Sequence, residues 1–253
     1  MRLLIYLFMS IFYTSASMKP QINLVKNYNF NKKYIYISPG GIKGFYMLGV
    51  ISYIKDNYDV SDYDVIGASV GSWMTIPFLL DKNEFNNHFL KDIFKYYDTI
   101  LNRDDKIYFY NIQRDKKEIC NKYEKIEYNK INIISNKITL TGIKSVVINN
   151  FKCINDVTDY CIASSYIPFI TGKFICILNN NLFIDGGFFM KKTYNKIDPY
   201  FSITYNMWGF DFESNNIKAL DKKDLKYFKD IYNYGYKDSV KNKKILDKYF
   251  ISL

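Results

Sequence analysis

The run Tyr63-Asp64-Val65-Ile66-Gly67-Ala68-Ser69-Val70-Gly71-Ser72-Trp73 constrains this chain more than any other stretch. A short apolar segment, Val65-Ile66, enters a Gly-x-Ser-x-Gly turn, and apolar residues at helical spacing leave it. That is the pattern of a strand turning sharply into a helix, with a serine at the apex. Gly67 and Gly71 are needed where neighbouring groups would otherwise collide. The turn lifts the Ser69 hydroxyl above the strand ends and aims a helix N-terminus at any charge developing beside it. Glycine-rich turns holding a serine also arise by chance, so the pentapeptide alone leaves a catalytic serine and a structural turn both open.

The histidine count narrows the chemistry. A Ser-His-Asp hydrolase built on this unit places its histidine last in chain order, but the chain has one histidine, His88, soon after Ser69. His88 lies one step off the helical stripe Phe85, Phe89, Ile93 and Tyr96, which reads as a surface or boundary position rather than a catalytic one. No His, Cys and carboxylate set has metal-ligand spacing, so neither a metal nor another cofactor is expected. If Ser69 is a nucleophile, its base is expected to be a carboxylate.

Two further segments qualify as companions. Lys33 to Ser38 reads as a strand, Pro39-Gly40-Gly41-Ile42-Lys43-Gly44 as a loop, and Phe45 to Ile54 as a helix. Such a loop either cradles an anion or builds an oxyanion hole, or is an ordinary tight turn. It is not a nucleotide P-loop, because the Gly-Lys-[Ser/Thr] ending is absent. Downstream, Phe174–Leu178 and Leu182–Ile184 read as a hairpin about the asparagines 179–181, placing Asp185-Gly186-Gly187 at a strand end. Taken alone, Asp-Gly-Gly is a common turn.

Taken in order, residues 39–44, 67–71, 163–168 and 185–187 resemble the patatin-like phospholipase family. That family carries a glycine-rich loop with a basic residue, then Gly-x-Ser-x-Gly, then Ala-Ser-x-x-x-Pro, then Asp-Gly-Gly/Ala. The resemblance covers roughly residues 33–190 and implies a three-layer α/β/α fold with a mostly parallel central sheet and C-terminal helices. It implies a lipid acyl hydrolase using a Ser-Asp dyad without histidine. Ser69 would be the nucleophile, Asp185 its proton acceptor, and Gly40 and Gly41 the oxyanion-hole donors. Lys43, Gly44, Gly67, Gly71, Gly186 and Gly187 would fill the remaining motif positions. The implied substrates are phospholipid or neutral lipid esters at a membrane surface. A lipid transacylase and a non-catalytic membrane-binding relative are the alternatives. Two positions depart from the pattern. Pro39, which has no N–H, stands where the family has its first loop glycine. Phe188 to Thr193 replace the asparagine and proline that usually follow Asp-Gly-Gly.

The rest of the chain is less specific. Its 253 residues suit one α/β domain, divided as 1–17 signal peptide or anchor, 30–205 catalytic domain and 206–253 helical extension. Alternating helix and strand over the first eighty residues predict a mostly parallel sheet with helices on both faces. Residues 98–130 are polar and read as a helical excursion or lid. Ile131–Ile134 and Lys137–Thr141 read as a hairpin turning at Ser135-Asn136, and Tyr200–Tyr205 as the last strand. From Leu220 onward, apolar stripes broken near Gly235 either pack on the core or lie on a bilayer interface.

Residues 1–17 combine one basic residue, a short apolar stretch and a small-residue exit, the pattern of a signal peptide or anchor. With Met18 as the true start, the segment would be absent and the protein cytoplasmic. The net charge of +10 suits an anionic lipid surface, at about 1 kcal/mol per nearby Lys or Arg, or reflects solvated lysines of a Lys- and Asn-rich composition. No recognition motif accompanies it, so nucleic acid is not expected as a partner. Four cysteines without metal spacing read as buried thiols rather than a disulfide framework. Oligomeric state is not encoded in any of these features.

Overall fold

The computed structural model describes residues 20–25, 28, 33–102, 109–172, 174–189, 197–209 and 225–253. The expected signal or anchor at 1–17 lies outside these residues. In chain order the elements are strands β1 (Gln21–Leu24) and β2 (Tyr34–Ile37), helix α1 (Gly44–Asn57), strands β3 (Tyr58–Asp59) and β4 (Asp64–Ala68), and helix α2 (Val70–Leu79). A helical turn and a π turn at Phe85–Phe89 lead into α3 (Leu90–Leu101), followed by α4 (Phe109–Cys120). Strands β5 (Ile131–Thr139) and β6 (Gly142–Asn149), helix α5 (Ile154–Ser164), and strands β7 (Cys176–Leu178), β8 (Asn181–Ile184) and β9 (Phe201–Ile203) come next. Helices α6 (Leu225–Lys241) and α7 (Lys243–Leu246) and strand β10 (Ile251–Ser252) finish the chain.

The fold is mixed α/β. The sheet runs β1-β6-β5-β4-β2-β9, and its centre, β5-β4-β2-β9, is parallel throughout. Antiparallel strands flank that centre: β1 and β6 on one side, and the β7–β8 hairpin against β5. Strands β2 and β4 and the first half of β5 are buried on both faces, as expected of parallel strands at the centre of a sheet.

One pairing sets up the site. Along one edge β5 pairs first with β4, Ile134 opposite Ala68, and then with β8, Asn136 opposite Ile184. The C-terminal ends of β4 and β8 therefore meet at the middle of β5. The residues that follow them are Ser69 and Asp185.

The sequence suggested that β5 ends at Ser135-Asn136. Instead β5 runs straight through, and the chain reverses at Leu140-Thr141 before Gly142, whose φ is 109°. Ser135 and Asn136 are fully buried. They stay in the strand because their polar groups are satisfied by side-chain bonds described below, so their polarity does not mark a turn. The hairpin about 179–181 is present, with Asn179 and Asn180 both at positive φ as a type I′ turn requires.

Among the described residues the helices gather on one face of the sheet. Ile35, Ile37, Val65, Ile131 and Ile133 face α1, α2, α5 and α6 there. Tyr34, Tyr36, Ile66 and Ile134 point the other way, into a smaller cluster closed by Val25, Tyr28 and Ile197. Helix α1 is buried at every position from Gly44 to Lys55, because the sheet covers one side and α6 the other. Lys55 is accommodated by donating to the Phe78 and Leu80 carbonyls at the end of α2, and burial lowers its ammonium to about 8.

Gly235 does not break the C-terminal helix, as its sequence context suggested; α6 is continuous from 225 to 241. A β-carbon there would lie 2.0 Å from the Tyr46 carbonyl oxygen of α1, and one on Gly49 would lie 2.0 Å from the Tyr232 carbonyl. The two glycines let the helix backbones touch. The chain ends by adding β10 to β3, so Tyr200–Tyr205 does not contain the last strand. Cys120 and Cys161 are buried thiols, whereas Cys176 is half-buried and Cys153 exposed; none is in a disulfide. Among the described residues, no helix is long and apolar enough to cross a membrane.

Candidate active site

Ser69 sits between the last residue of β4 and the first of α2, with φ 54° and ψ −126°. A side chain is strained in that conformation, of the kind that persists only where surrounding structure enforces it. The enforcement is visible in the flanking glycines. A β-carbon on Gly67 would lie 2.2 Å from the Gly71 carbonyl oxygen, and one on Gly71 would lie 2.2 Å from the Ile37 carbonyl oxygen. The turn is tight enough that neither position admits a side chain.

The strained turn delivers the hydroxyl to a carboxylate. Ser69 Oγ donates to Asp185 Oδ2 at 2.7 Å, and both residues are buried. The other carboxylate oxygen, Oδ1, accepts the Gly187 N–H at 2.6 Å. Burial raises the Asp185 pKa above the ordinary carboxylate value, while the Ser69 and Gly187 hydrogen bonds pull it back down. Desolvation prevails, which makes Asp185 a better proton acceptor than a solvated aspartate.

The backbone around Asp185 is pinned from three sides. Its N–H donates to the Tyr166 carbonyl at 2.8 Å, and its carbonyl accepts Asn136 Nδ2 at 2.7 Å. Asn136 Nδ2 also donates to the Phe188 carbonyl at 2.7 Å, and Asn136 Oδ1 accepts from Ser145 Oγ at 2.7 Å. Ser135 Oγ bonds to the carbonyls of Ala163 and Ile184, each at 3.2 Å. The two residues taken for a turn in the sequence are therefore the clamp behind the dyad's carboxylate.

Ser164 joins the two halves of the dyad. Its Oγ accepts the Ser69 N–H at 2.8 Å and donates to the Ile134 carbonyl at 2.6 Å. Its own carbonyl accepts the Gly186 N–H at 2.7 Å. A β-carbon on Gly186 would lie 2.2 Å from the Ile134 carbonyl oxygen, so that glycine is required for the same close approach. Ser164 belongs to the Ala-Ser-x-x-x-Pro segment noticed in the sequence, but nothing there assigned it a task. The next residue, Ser165, takes the Trp73 indole N–H at 2.9 Å and fixes α2 to the end of α5.

The loop after β2 borders the same site. Gly41 has φ 56° with open space where a side chain would stand, and Gly40 lies against Tyr205. A β-carbon on Gly187 would be 3.0 Å from Pro39 Cβ, and one on Gly44 would be 2.7 Å from Val70 Cγ2. Gly187 after the base and Val70 after the serine thus both touch this loop. Lys43 Nζ lies 4.4 Å from the centre of the Tyr205 ring. His88 is exposed on the π turn, and the Ser69 hydroxyl bonds to Asp185 instead. No cluster that could hold a metal ion occurs among the described residues. A pocket of about 210 Å³ lies at the opposite end of the sheet, beside Lys33, Tyr63, Tyr200 and Tyr249, and contains neither dyad residue.

No protein-family model matches the sequence, and no curated protein matches it either.

Proposed function

We propose that this chain is a serine acyl hydrolase that cleaves lipid carboxylic esters through a Ser69–Asp185 dyad, on a patatin-like α/β fold. The observation that carries the reading is the 2.7 Å hydrogen bond from a serine held at φ 54° to a buried carboxylate. An ordinary turn has no reason to retain a strained serine against a desolvated aspartate. A nucleophile and its base require that pairing.

In this reading Ser69 Oγ attacks the ester carbonyl carbon while its proton passes to Asp185 Oδ2. The resulting oxyanion is held by the Gly40 and Gly41 N–H groups and by the N-terminal end of α2. Collapse breaks the bond to the alkoxy oxygen, which leaves as the alcohol with the proton from Asp185. Water then attacks the acyl-serine, Asp185 takes its proton, and release of the carboxylic acid restores the Ser69 hydroxyl. Pro39 removes one N–H from the loop, so the donors fall to the two glycines that follow.

Lipid is favoured over small polar esters because exposed aromatic residues, Phe188 and Phe189, directly follow Asp185-Gly186-Gly187. The test is product analysis with purified protein on mixed phospholipid and triacylglycerol vesicles, with Ser69→Ala in parallel. Release of free fatty acid by the parent alone supports hydrolysis. Transfer of the acyl group to an added lysolipid would identify a transacylase, and equal products from Ser69→Ala would overturn the assignment.

A further inference from the structure

The sheet carries an exposed apolar row that the catalytic assignment does not use. Ile143, Ile138, Leu182 and Ile177 are direct cross-strand neighbours across β6, β5, β8 and β7. Ile143, Leu182 and Ile177 are exposed, Ile177 by 69%, and Leu140 at the tip of the β5–β6 hairpin is wholly exposed. Side chains two residues apart on a strand share a face. The row therefore continues the face bearing Asn136 and Ile184, which adjoin Asp185. Phe169 and Phe174, with ring centroids 5.6 Å apart, add two exposed aromatics from the loop between α5 and β7.

Charge says what this surface meets. Lys137 and Lys144 are paired directly across β5 and β6 on the opposite side of the hairpin from Ile138 and Ile143, where like charges repel, and neither forms an ion pair among the described residues. The sequence has no Asp or Glu from Tyr128 to Asn155, nor from Tyr160 to Ile184. The hairpins β5–β6 and β7–β8 thus combine apolar side chains and lysines with no carboxylate of their own. A second copy of the chain seated here would bring lysines against lysines. An anionic surface with an apolar interior complements both features, since lysine stems can lie along apolar material while the ammonium reaches the headgroups.

We infer that the β5–β6 and β7–β8 hairpin tips, from Leu140 to Ile177, form the edge by which the protein docks on an anionic phospholipid bilayer, the apolar row entering from one side of the sheet and Lys137 and Lys144 reaching headgroups from the other. The inference rests on the lipid-ester reading and adds how the site reaches its substrate. Docking by this edge brings the rim of the Ser69–Asp185 site toward the headgroup layer.

The test is co-sedimentation of the full chain carrying Ser69→Ala with phosphatidylcholine vesicles, with and without phosphatidylserine. Leu140→Glu/Ile177→Glu is expected to weaken binding to both vesicles by roughly tenfold or more. Lys137→Gln/Lys144→Gln is expected to weaken binding only to the anionic vesicles, by about fivefold per lysine. The same substitutions on the Ser69 background should leave hydrolysis of a water-soluble short-chain ester unchanged. Binding within twofold of the parent for the Leu140/Ile177 variant overturns the inference. So does a shift from dimer to monomer accompanying the loss, because a second copy would then cover the edge. Since vesicle binding is read in a Ser69→Ala protein, failure of the parent to hydrolyse any ester overturns the hydrolase reading alone.

Discussion

The Ser164 hydroxyl accepts the Ser69 N–H at 2.8 Å while donating to the Ile134 carbonyl at 2.6 Å. One buried side chain therefore ties the nucleophile turn to β5, and its carbonyl holds Gly186 after the base. Ser164→Ala leaves the Ser69 N–H buried without a partner, a cost of about 1–3 kcal/mol. Displacing the serine by a fraction of its reaction distance is expected to lower kcat by about a hundredfold. KM should be nearly unchanged, because Ser164 reaches the reaction only through Ser69. Steady-state kinetics on a soluble ester separate the two parameters, and equal losses in both would assign Ser164 to substrate binding instead.

Strain at Ser69 predicts different stabilities for two inactivating substitutions. Ser69→Gly removes the β-carbon from φ 54° and should be more stable than Ser69→Ala by about 1–3 kcal/mol. At this chain length that corresponds to a Tm difference of about 2–4 °C per kcal/mol. Both proteins should be inactive. Thermal unfolding of the pair checks it, and Ser69→Ala matching Ser69→Gly would mean the turn carries no strain.

Asp185 gives a pH dependence whose sign follows from burial. Its folded pKa lies above the unfolded value, so its contribution to stability is full below the unfolded pKa and is lost as pH rises through the folded one. Asp185→Asn removes that loss. It should be more stable than the parent near neutral pH, with the gain shrinking as pH falls through the folded pKa, while activity is abolished. The acid limb of kcat/KM in the parent should fall above the reference aspartate value of about 3.9. Chemical denaturation of both proteins across pH, beside a pH–rate profile, measures both effects.

Gly235 separates helix propensity from packing. Alanine is preferred over glycine in a helix interior by about 1 kcal/mol, so an exposed site would gain stability. Here the added β-carbon would stand 2.0 Å from the Tyr46 carbonyl oxygen, a backbone contact that cannot rotate away. Gly235→Ala should instead destabilise by about 2 kcal/mol or more. Urea unfolding decides, and a stabilised variant would place α6 farther from α1 than the structure has it.

What the sequence disclosed follows from the same contacts. The elbow was readable because Gly67 and Gly71 have no room for a side chain, and that necessity leaves a local signature. Asp185 was nominated only through the order of motifs, since Asp-Gly-Gly alone is a common turn. Ser135 and Asn136 resemble a turn because a polar pair between apolar runs is the usual mark of a hairpin. Their partners, the carbonyls of Ala163, Ile184, Asp185 and Phe188, lie 28 to 52 positions away in the chain. Gly235 misled for a related reason, because the feature that explains it is a carbonyl on another helix. Local necessity was visible in the residues, and long-range satisfaction was not.

The most direct test of the Ser69–Asp185 account is covalent capture of the nucleophile. Purified protein treated with an alkyl fluorophosphonate should gain the mass of a single phosphonyl adduct, mapped by peptide sequencing to Ser69. Ser69→Ala should gain none, and Asp185→Asn should react at least about a hundredfold more slowly, since no base then takes the hydroxyl proton. A folded parent that takes up no adduct, or one modified at another serine with Ser69 untouched, would contradict the account.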